Sequence, residues 1–337
     1  MKLSLAAALV VTLACVAPGC TSKDQQAPPE DDAREADLAP AAPGTSIIVA
    51  GESFDIGAPV VTWKDEGGYD GYSETCHFSD DALPTAPAPG CETPNRYSAG
   101  GRRRVEPMVA EVVAARGWTP ELLALQVSQV VVHYDAAWTS RNCFKVLHDQ
   151  RGLSCHFLLD LDGTLYQTLD LTARARHAGA ANDHSVGIEI AHPGVLATDK
   201  IKAAYSRDDA GTVFDLGPFA GDLPQGFVAR PARPDPIEGE IHGKPYAQYD
   251  FTEAQYETLG KLVGVLAQLF PRMPLEVPRD AEGQILWRVL TPEELASFRG
   301  VIGHYHVSTH KQDPGPAFQW ERLLKDARAQ PAPQRGD

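Results

Sequence analysis

At 337 residues, 43% hydrophobic and 22% charged, the chain carries enough apolar material for one sizeable globular core. Its formal net charge of −15 excludes a protein that tracks nucleic-acid phosphates, which would need a basic face. The one dense basic run, Arg102-Arg103-Arg104, is short and reads as a solvated turn.

The N-terminus reads as a signal peptide over residues 1–20. Lys2 precedes an apolar stretch over residues 3–17, too short and wrongly flanked for a membrane-spanning helix. It runs into Ala17-Pro18-Gly19-Cys20, which resembles a bacterial lipoprotein signal with Cys20 lipidated, although Ala17 stands where leucine is usual. Ordinary secretion is the alternative. Both routes export the chain, and Thr21 after Cys20 fits sorting to an outer membrane, facing the periplasm, with the lipid as the only membrane contact. Export permits disulfides. Of the remaining cysteines, the local pairs Cys76–Cys91 and Cys143–Cys155 each close a short loop and are the expected bridges.

Residues 21–45 are rich in Ala, Pro, Asp and Glu and read as a flexible linker. Residues 46–100 break short apolar runs with glycine and proline, which predicts a loop-rich extension tied by Cys76 and Cys91. The main domain is expected over residues 101–328, with a tail over 329–337. Its regular part begins near Thr119-Pro120, a helix-start signal, followed by a valine-rich strand over residues 127–133. A helix is expected over 140–150, then two strands flanking the hairpin signal Asp162-Gly163, then a strand over 185–191. Residues 194–250 carry many Gly, Pro and Asp and read as a long insertion, placed where it could wall a groove and set substrate length. Thr252 with Gln255 has the spacing of a capping box, and Tyr256, Leu259, Val263, Leu266 and Phe270 recur at helical spacing behind it. A short strand or extended segment over 301–307 and a helix over 317–328 close the domain.

Three of these segments hold polar residues where a buried strand should be apolar. His133 ends the run Val130-Val131-Val132. In residues 185–191, strand alternation sets Val186, Ile188 and Ile190 on one face and Gly187, Glu189 and Ala191 on the other. A carboxylate between two very small residues faces a cavity, where desolvation raises its pKa and suits it to proton transfer. The third segment holds His304, His306, His310 and Asp313. Two imidazoles and a carboxylate are donors that zinc accepts, and a catalytic zinc keeps three protein ligands and one open position. Spacing leaves two triads open: His133 and His304 with either Asp313 or His306. His310, beside Lys311, reads as solvated.

Gly303-His304 followed by Lys311-Gln312-Asp313-Pro314-Gly315-Pro316-Ala317-Phe318 resembles the zinc N-acetylmuramoyl-L-alanine amidases of the type-2 amidase family. That family is related to the anhydro-muropeptide amidase, phage T7 lysozyme and the peptidoglycan recognition proteins. The segments from His156 to Asp160 and from Asp162 to Gln167 match its core, as do His177-Ala178-Gly179 and Gly187-Ile188-Glu189, over residues 127 to 325. The resemblance implies an α/β fold, a single mixed central β-sheet flanked by helices. It implies one zinc ion on His133, His304 and Asp313, and catalytic roles for Glu189 and Lys311. Glu189 would move a proton from water to the leaving amine, and Lys311 would face the developing oxyanion. The implied bond joins the lactyl group of N-acetylmuramic acid to L-alanine, in peptidoglycan or in muropeptide fragments.

Two departures from the family pattern bear on the site. Arg176 stands where tryptophan is common before His177, and an arginine there could bind a stem-peptide carboxylate. Cys155 stands where some relatives carry a catalytic tyrosine, which leaves proton transfer to Glu189 and makes a disulfide the expected state of Cys155. His156 and His177 are expected along the groove, although His156 could equally be packed. The alternatives to the amidase are a non-catalytic peptidoglycan-binding receptor on the same fold and a zinc amide hydrolase of different substrate. A monomer is the default.

Overall fold

The computed structural model describes residues 42–78, 103–195 and 204–335; the expected signal peptide, Cys20, Cys91 and Arg102 lie outside them. Strands β1 (Gly44–Val49) and β2 (Glu52–Thr62) form an antiparallel hairpin. Its two-residue turn, Ala50 and Gly51, has φ of 52° and 81°, the left-handed pair whose twist matches the flanking strands. Phe54, Ile56, Ala58 and Val60 alternate inward along β2. This corrects the loop-rich reading of residues 46–100, whose first part is sheet. The alternation is present in the sequence, but a turn without Asn-Gly or Asp-Gly conceals it. Cys76 is disulfide-bonded, to a partner outside the described residues.

Helix α1 (Pro107–Arg116) was not expected; it precedes α2 (Pro120–Ala124), whose cap Thr119 accepts the Leu122 N–H at 3.3 Å. Strand β3 (Gln129–Tyr134) follows, then α3 (Ser140–Phe144), which continues as a π-helical turn over Lys145–Gln150 rather than the uniform helix expected. Strands β4 (Phe157–Leu159) and β5 (Leu165–Gln167) form the expected hairpin, with Gly163 at φ 87°, and β6 (Ser185–Ile190) comes next. The insertion is more regular than its composition implied, with hairpins β7 (Tyr205–Asp208)–β8 (Gly211–Phe214) and β9 (Ile237–Ile241)–β10 (Lys244–Gln248).

Helix α4 (Glu253–Leu269) opens with the expected capping box: Thr252 Oγ accepts the Gln255 N–H at 3.1 Å, and Gln255 Oε1 accepts the Thr252 N–H at 2.9 Å. A short α5 (Pro292–Ser297) leads to β11 (Gly300–Gly303), which ends in a 3-10 turn over His304–His306. Helix α6 (Trp320–Arg328) starts three residues later than expected, and β12 (Gln334–Arg335) ends the fold.

The main sheet runs β1-β2-β5-β4-β6-β3-β11, with β12 also on β2. Pairs β2–β5, β4–β6, β6–β3 and β3–β11 are parallel, and β4–β5, β1–β2 and β2–β12 are antiparallel, so the sheet is mixed as expected. Strand alternation divides its two faces. Val130, Val132, Val186, Ile188 and Val301 join Tyr256, Leu259, Leu266, Trp320 and Leu323 in the main core beneath α4 and α6. Val131 and Ile302 point the opposite way, against Ala178, Ala181 and α5. That second face carries the polar residues, at the carboxyl ends of the parallel strands β3, β6 and β11, where open α/β sheets place their ligand sites.

Candidate metal centre

His133 and Glu189 are direct cross-strand neighbours in the β3–β6 register, and both project from the face opposite α4. His304 begins the turn that ends β11, the strand on the other side of β3, and Asp313 lies on the loop beyond it. The sequence-distant residues meet because three parallel strands end together.

His133 Nδ1, His304 Nδ1 and Asp313 Oδ2 are each 2.9 Å from the other two. All three residues are buried, and they are the one group among the described residues with metal-binding geometry. Protons on the two imidazoles cannot satisfy all three edges of such a triangle, whereas a single cation can. The edges are slightly tighter than the roughly 3.3 Å expected for tetrahedral ligands with bonds of about 2.0–2.1 Å, so the donors fit a zinc ion after a small opening. Burial, opposed in part by the Asp313 contact, lowers the His133 pKa to about 4, leaving a neutral imidazole with a lone pair. Burial would raise Asp313, but hydrogen bonds from His133 and His304 outweigh it and hold the carboxyl well below its usual range.

The rival histidines are excluded by where their rings point. His306 is fully buried; its Nδ1 accepts the Gly303 N–H at 2.9 Å and its Nε2 donates to the Leu286 carbonyl at 2.8 Å. A 3-10 turn, unlike an extended segment, separates the directions of His304 and His306. His310 is exposed.

Glu189 Oε1 stands 3.9 Å from His133 Nδ1, with its side chain 12% exposed. Burial drives its pKa well above the usual value, and the carboxylates of Asp313 and Asp135 add to this, against Lys311 and Arg151. Asp135, two residues beyond His133, was missed by sequence reading; burial pushes it up to about 8, although it accepts the Ala137 and His192 N–H groups at 2.8 and 3.0 Å. Lys311 is half-buried on the Asp313 loop.

His177 touches the centre through His133 rather than by itself. Its Nδ1 is 3.0 Å from His133 Nε2, and its Nε2 is 3.2 Å from Ser185 Oγ. If His133 offers the Nδ1 lone pair to an ion, its proton sits on Nε2 and is donated to His177, whose own proton then passes to Ser185 as a hydrogen bond. Such outer partners fix a ligand's tautomer and ring orientation. Gly187 makes room for this contact: a Cβ there would lie 2.7 Å from the His177 ring.

His156 does not line a groove. It is fully buried, its Nδ1 accepts the Gly187 N–H at 3.0 Å, and its Nε2 donates to the Ala173 carbonyl at 3.1 Å. Beside it lies Arg103, the middle of the run expected to be a solvated turn. Arg103 is buried and donates to the carbonyls of Leu171, Ala173, Asp183 and Ser185 at 2.9 to 3.2 Å, tying the loops behind the site together. Burial lowers it to about 10, so it remains charged at neutral pH. Nothing in the sequence near Arg103 distinguishes it from its two neighbours. The Arg176 side chain is exposed, and its backbone is fixed by the N–H donated to Ser154 Oγ at 2.9 Å.

Cys143 and Cys155 are free thiols, which corrects the expected bridge. Both pack as small apolar side chains in a cluster with Tyr69, Ala137, Phe144 and Leu158. Burial pushes both thiols well above their usual range, and Glu189 raises Cys155 further, which disfavours the thiolate that a nucleophile needs.

A family model described as N-acetylmuramoyl-L-alanine amidase matches residues 123–316. Among curated proteins no match is found. Several solved structures are similar at low identity. An AmpD derivative shares 18% identity over 60% of this chain and 86% of its own, with a TM-score of 0.31. AmiD from E. coli, solved with anhydro-N-acetylmuramic acid-L-Ala-D-gamma-Glu-L-Lys, shares 18% over 59% of this chain and 57% of its own, with a TM-score of 0.36. The endolysin LysCS from Clostridium intestinale shares 16% over 62% and 88%, with a TM-score of 0.32. Superpositions this loose carry no detail of geometry, and membership rests on the sequence match. By that match the chain belongs to the N-acetylmuramoyl-L-alanine amidase family and is a peptidoglycan amidase.

Proposed function

We propose that the protein is a zinc-dependent amidase that hydrolyses the bond between the lactyl group of N-acetylmuramic acid and L-alanine, with His133, His304 and Asp313 as the metal ligands. The observation that carries this is the 2.9 Å triangle of two imidazole nitrogens and one carboxylate oxygen with Glu189 beside it. When bound, zinc supplies Lewis acidity that polarises the scissile carbonyl and makes water a better nucleophile. Glu189 takes a proton from the attacking water and returns it to the departing amine; its raised affinity for the proton suits both halves of that task. Lys311, two residues before Asp313, sets an ammonium against the oxyanion as charge develops. His177 and Ser185 hold His133 in the tautomer that offers Nδ1. Arg176, next to His177 in sequence, is an exposed cation that would suit a stem-peptide carboxylate.

The test is incubation of the protein with muropeptides, with and without chelator, and mass spectrometry for free stem peptide beginning at L-alanine. Release that chelator abolishes and zinc restores is the expected result; no release, or release indifferent to chelator, overturns the reading. Export as a lipoprotein anchored through Cys20 is proposed from the leader alone. Cys20→Ala should then move the protein from the membrane fraction to the soluble one, and an unchanged distribution would refute it.

A further inference from the structure

The two groups that the amidase reading places on one loop, Lys311 and Asp313, lie where the chain has no helix or strand to hold them. Side chains on loops are positioned less sharply than those on regular elements, unless neighbouring structure fixes the backbone. Here the neighbour is the second hairpin of the insertion. Its tip, His242-Gly243, has φ of 54° and 70°, a two-residue turn of the same kind as Ala50-Gly51. The tip is anchored by the His242 N–H, which donates to the Trp287 carbonyl at 2.9 Å. From there His242 Nε2 donates to the Lys311 carbonyl at 3.0 Å.

At the other end of the hairpin stands Gln248, fully buried. Its Nε2 donates to the Pro314 carbonyl at 2.9 Å and its Oε1 accepts the Ala317 N–H at 3.1 Å, so one amide side chain spans the loop as a neighbouring strand would. Gly315, at φ 92°, passes so close that a Cβ would lie 2.0 Å from Gln248 Oε1. Between the two ends, Gly239 lies flush on Pro316, where a Cβ would come within 2.7 Å of the proline ring. Just before the hairpin, Arg233 donates to the Ala317 carbonyl while paired with Asp250 at 2.6 Å. The loop is therefore held at Lys311 and again at Pro314 to Ala317, with Asp313 between the two holds.

We propose that the β9–β10 hairpin is a positioning element for the reaction: His242 sets the Lys311 ammonium through the Lys311 carbonyl, and Gln248 sets the Asp313 carboxylate through Pro314 and Ala317. The inference rests on the roles given above to Lys311 and Asp313. It assigns the insertion a part in metal binding and rate, whatever it does for substrate length.

The test uses the full chain with cobalt in place of zinc, whose visible bands report the ligand field, together with zinc affinity and muropeptide kinetics. Gln248→Met, close in volume and lacking both hydrogen bonds, should weaken zinc about 10- to 100-fold and shift the cobalt bands. His242→Ala should lower kcat by roughly tenfold with KM and the cobalt spectrum unchanged. His242→Gln keeps a donor and has the same backbone strain at positive φ as His242→Ala, so it should recover most of kcat if the hydrogen bond matters. Equal losses in His242→Ala and His242→Gln would reduce the residue to a structural one and overturn its half of the proposal. Wild-type zinc affinity and cobalt bands in folded Gln248→Met overturn the other half. Should Gln248→Met not fold, Gln248→Asn, which keeps an amide too short to span Pro314 and Ala317, replaces it in the same zinc and cobalt measurements. If the unaltered protein releases no stem peptide, the amidase reading fails and the Lys311 half falls with it, while the zinc affinity and cobalt bands of Gln248→Met still decide the Asp313 half.

Discussion

Gly187→Ala is a one-carbon change at a position that touches no proposed ligand, yet it should weaken the metal site. The new Cβ would lie 2.7 Å from His177 Cγ and Nδ1 and 2.8 Å from Cys155 Sγ, against an ordinary contact of 3.4 Å or more. Relief needs a shift of roughly 0.7 Å, the usual cost of overpacking being about 1–3 kcal/mol. Strand β6 cannot supply it by retreating, because it is bonded to β3 on one side and β4 on the other, and the Gly187 N–H is held by His156. The His177 ring must therefore move. Its Nδ1 is the atom 3.0 Å from His133 Nε2, so a shift of that size carries the contact to the edge of hydrogen-bond range. Loss of such an outer partner weakens metal binding by about 10- to 100-fold. Competition against a chromophoric chelator measures the zinc affinity, and urea unfolding in excess chelator measures the stability of the metal-free protein. Adding His177→Ala to Gly187→Ala should recover only part of the stability, because the Cys155 Sγ contact at 2.8 Å remains, and should leave affinity low. Zinc affinity within twofold of wild type in Gly187→Ala would refute the reasoning.

Two further outcomes follow from buried groups away from the ligands. His156→Gln should cost about 1–3 kcal/mol at pH 7, since it disrupts a fully satisfied buried imidazole. Burial lowers the folded pKa of His156 to about 3, below the 6.5 of the unfolded chain. Its contribution is thus complete above pH 6.5 and is lost as pH falls towards 3, so the gap between wild type and His156→Gln should shrink by about 1.4 kcal/mol per unit below pH 6. Urea unfolding at several pH values gives that gap, and a constant difference would contradict the assignment. Cys143 and Cys155 should resist a thiol reagent in the folded protein and both react on unfolding without reductant. Reaction only after reduction would restore the bridge.

Much of the site was legible in the sequence because strand periodicity is local. The alternation through Gly187, Glu189 and Ala191 already separated a core face from a cavity face, and the capping box at Thr252 and Gln255 marked the start of α4. The Lys311 to Phe318 motif placed the chain in its family. None of this required knowledge of which segments are neighbours.

What only the tertiary structure decided was every choice between chemically equivalent residues. His304 and His306 are the same side chain two positions apart, and a 3-10 turn rather than an extended backbone sends one to the metal triangle and the other to the Gly303 and Leu286 backbone. Arg103 is one of three consecutive arginines, and only the converging carbonyls of Leu171, Ala173, Asp183 and Ser185 select it for burial. Cys155 and Cys143 could have been a bridge on loop length alone, and packing made them apolar filler. His242 and Gln248 carry no local signal, since their partners lie 69 residues or nearly so along the chain. The physical reason is common to all four. Periodicity and capping depend on residues within a turn or two, whereas the partner of a buried polar group is set by which distant segments the core brings together.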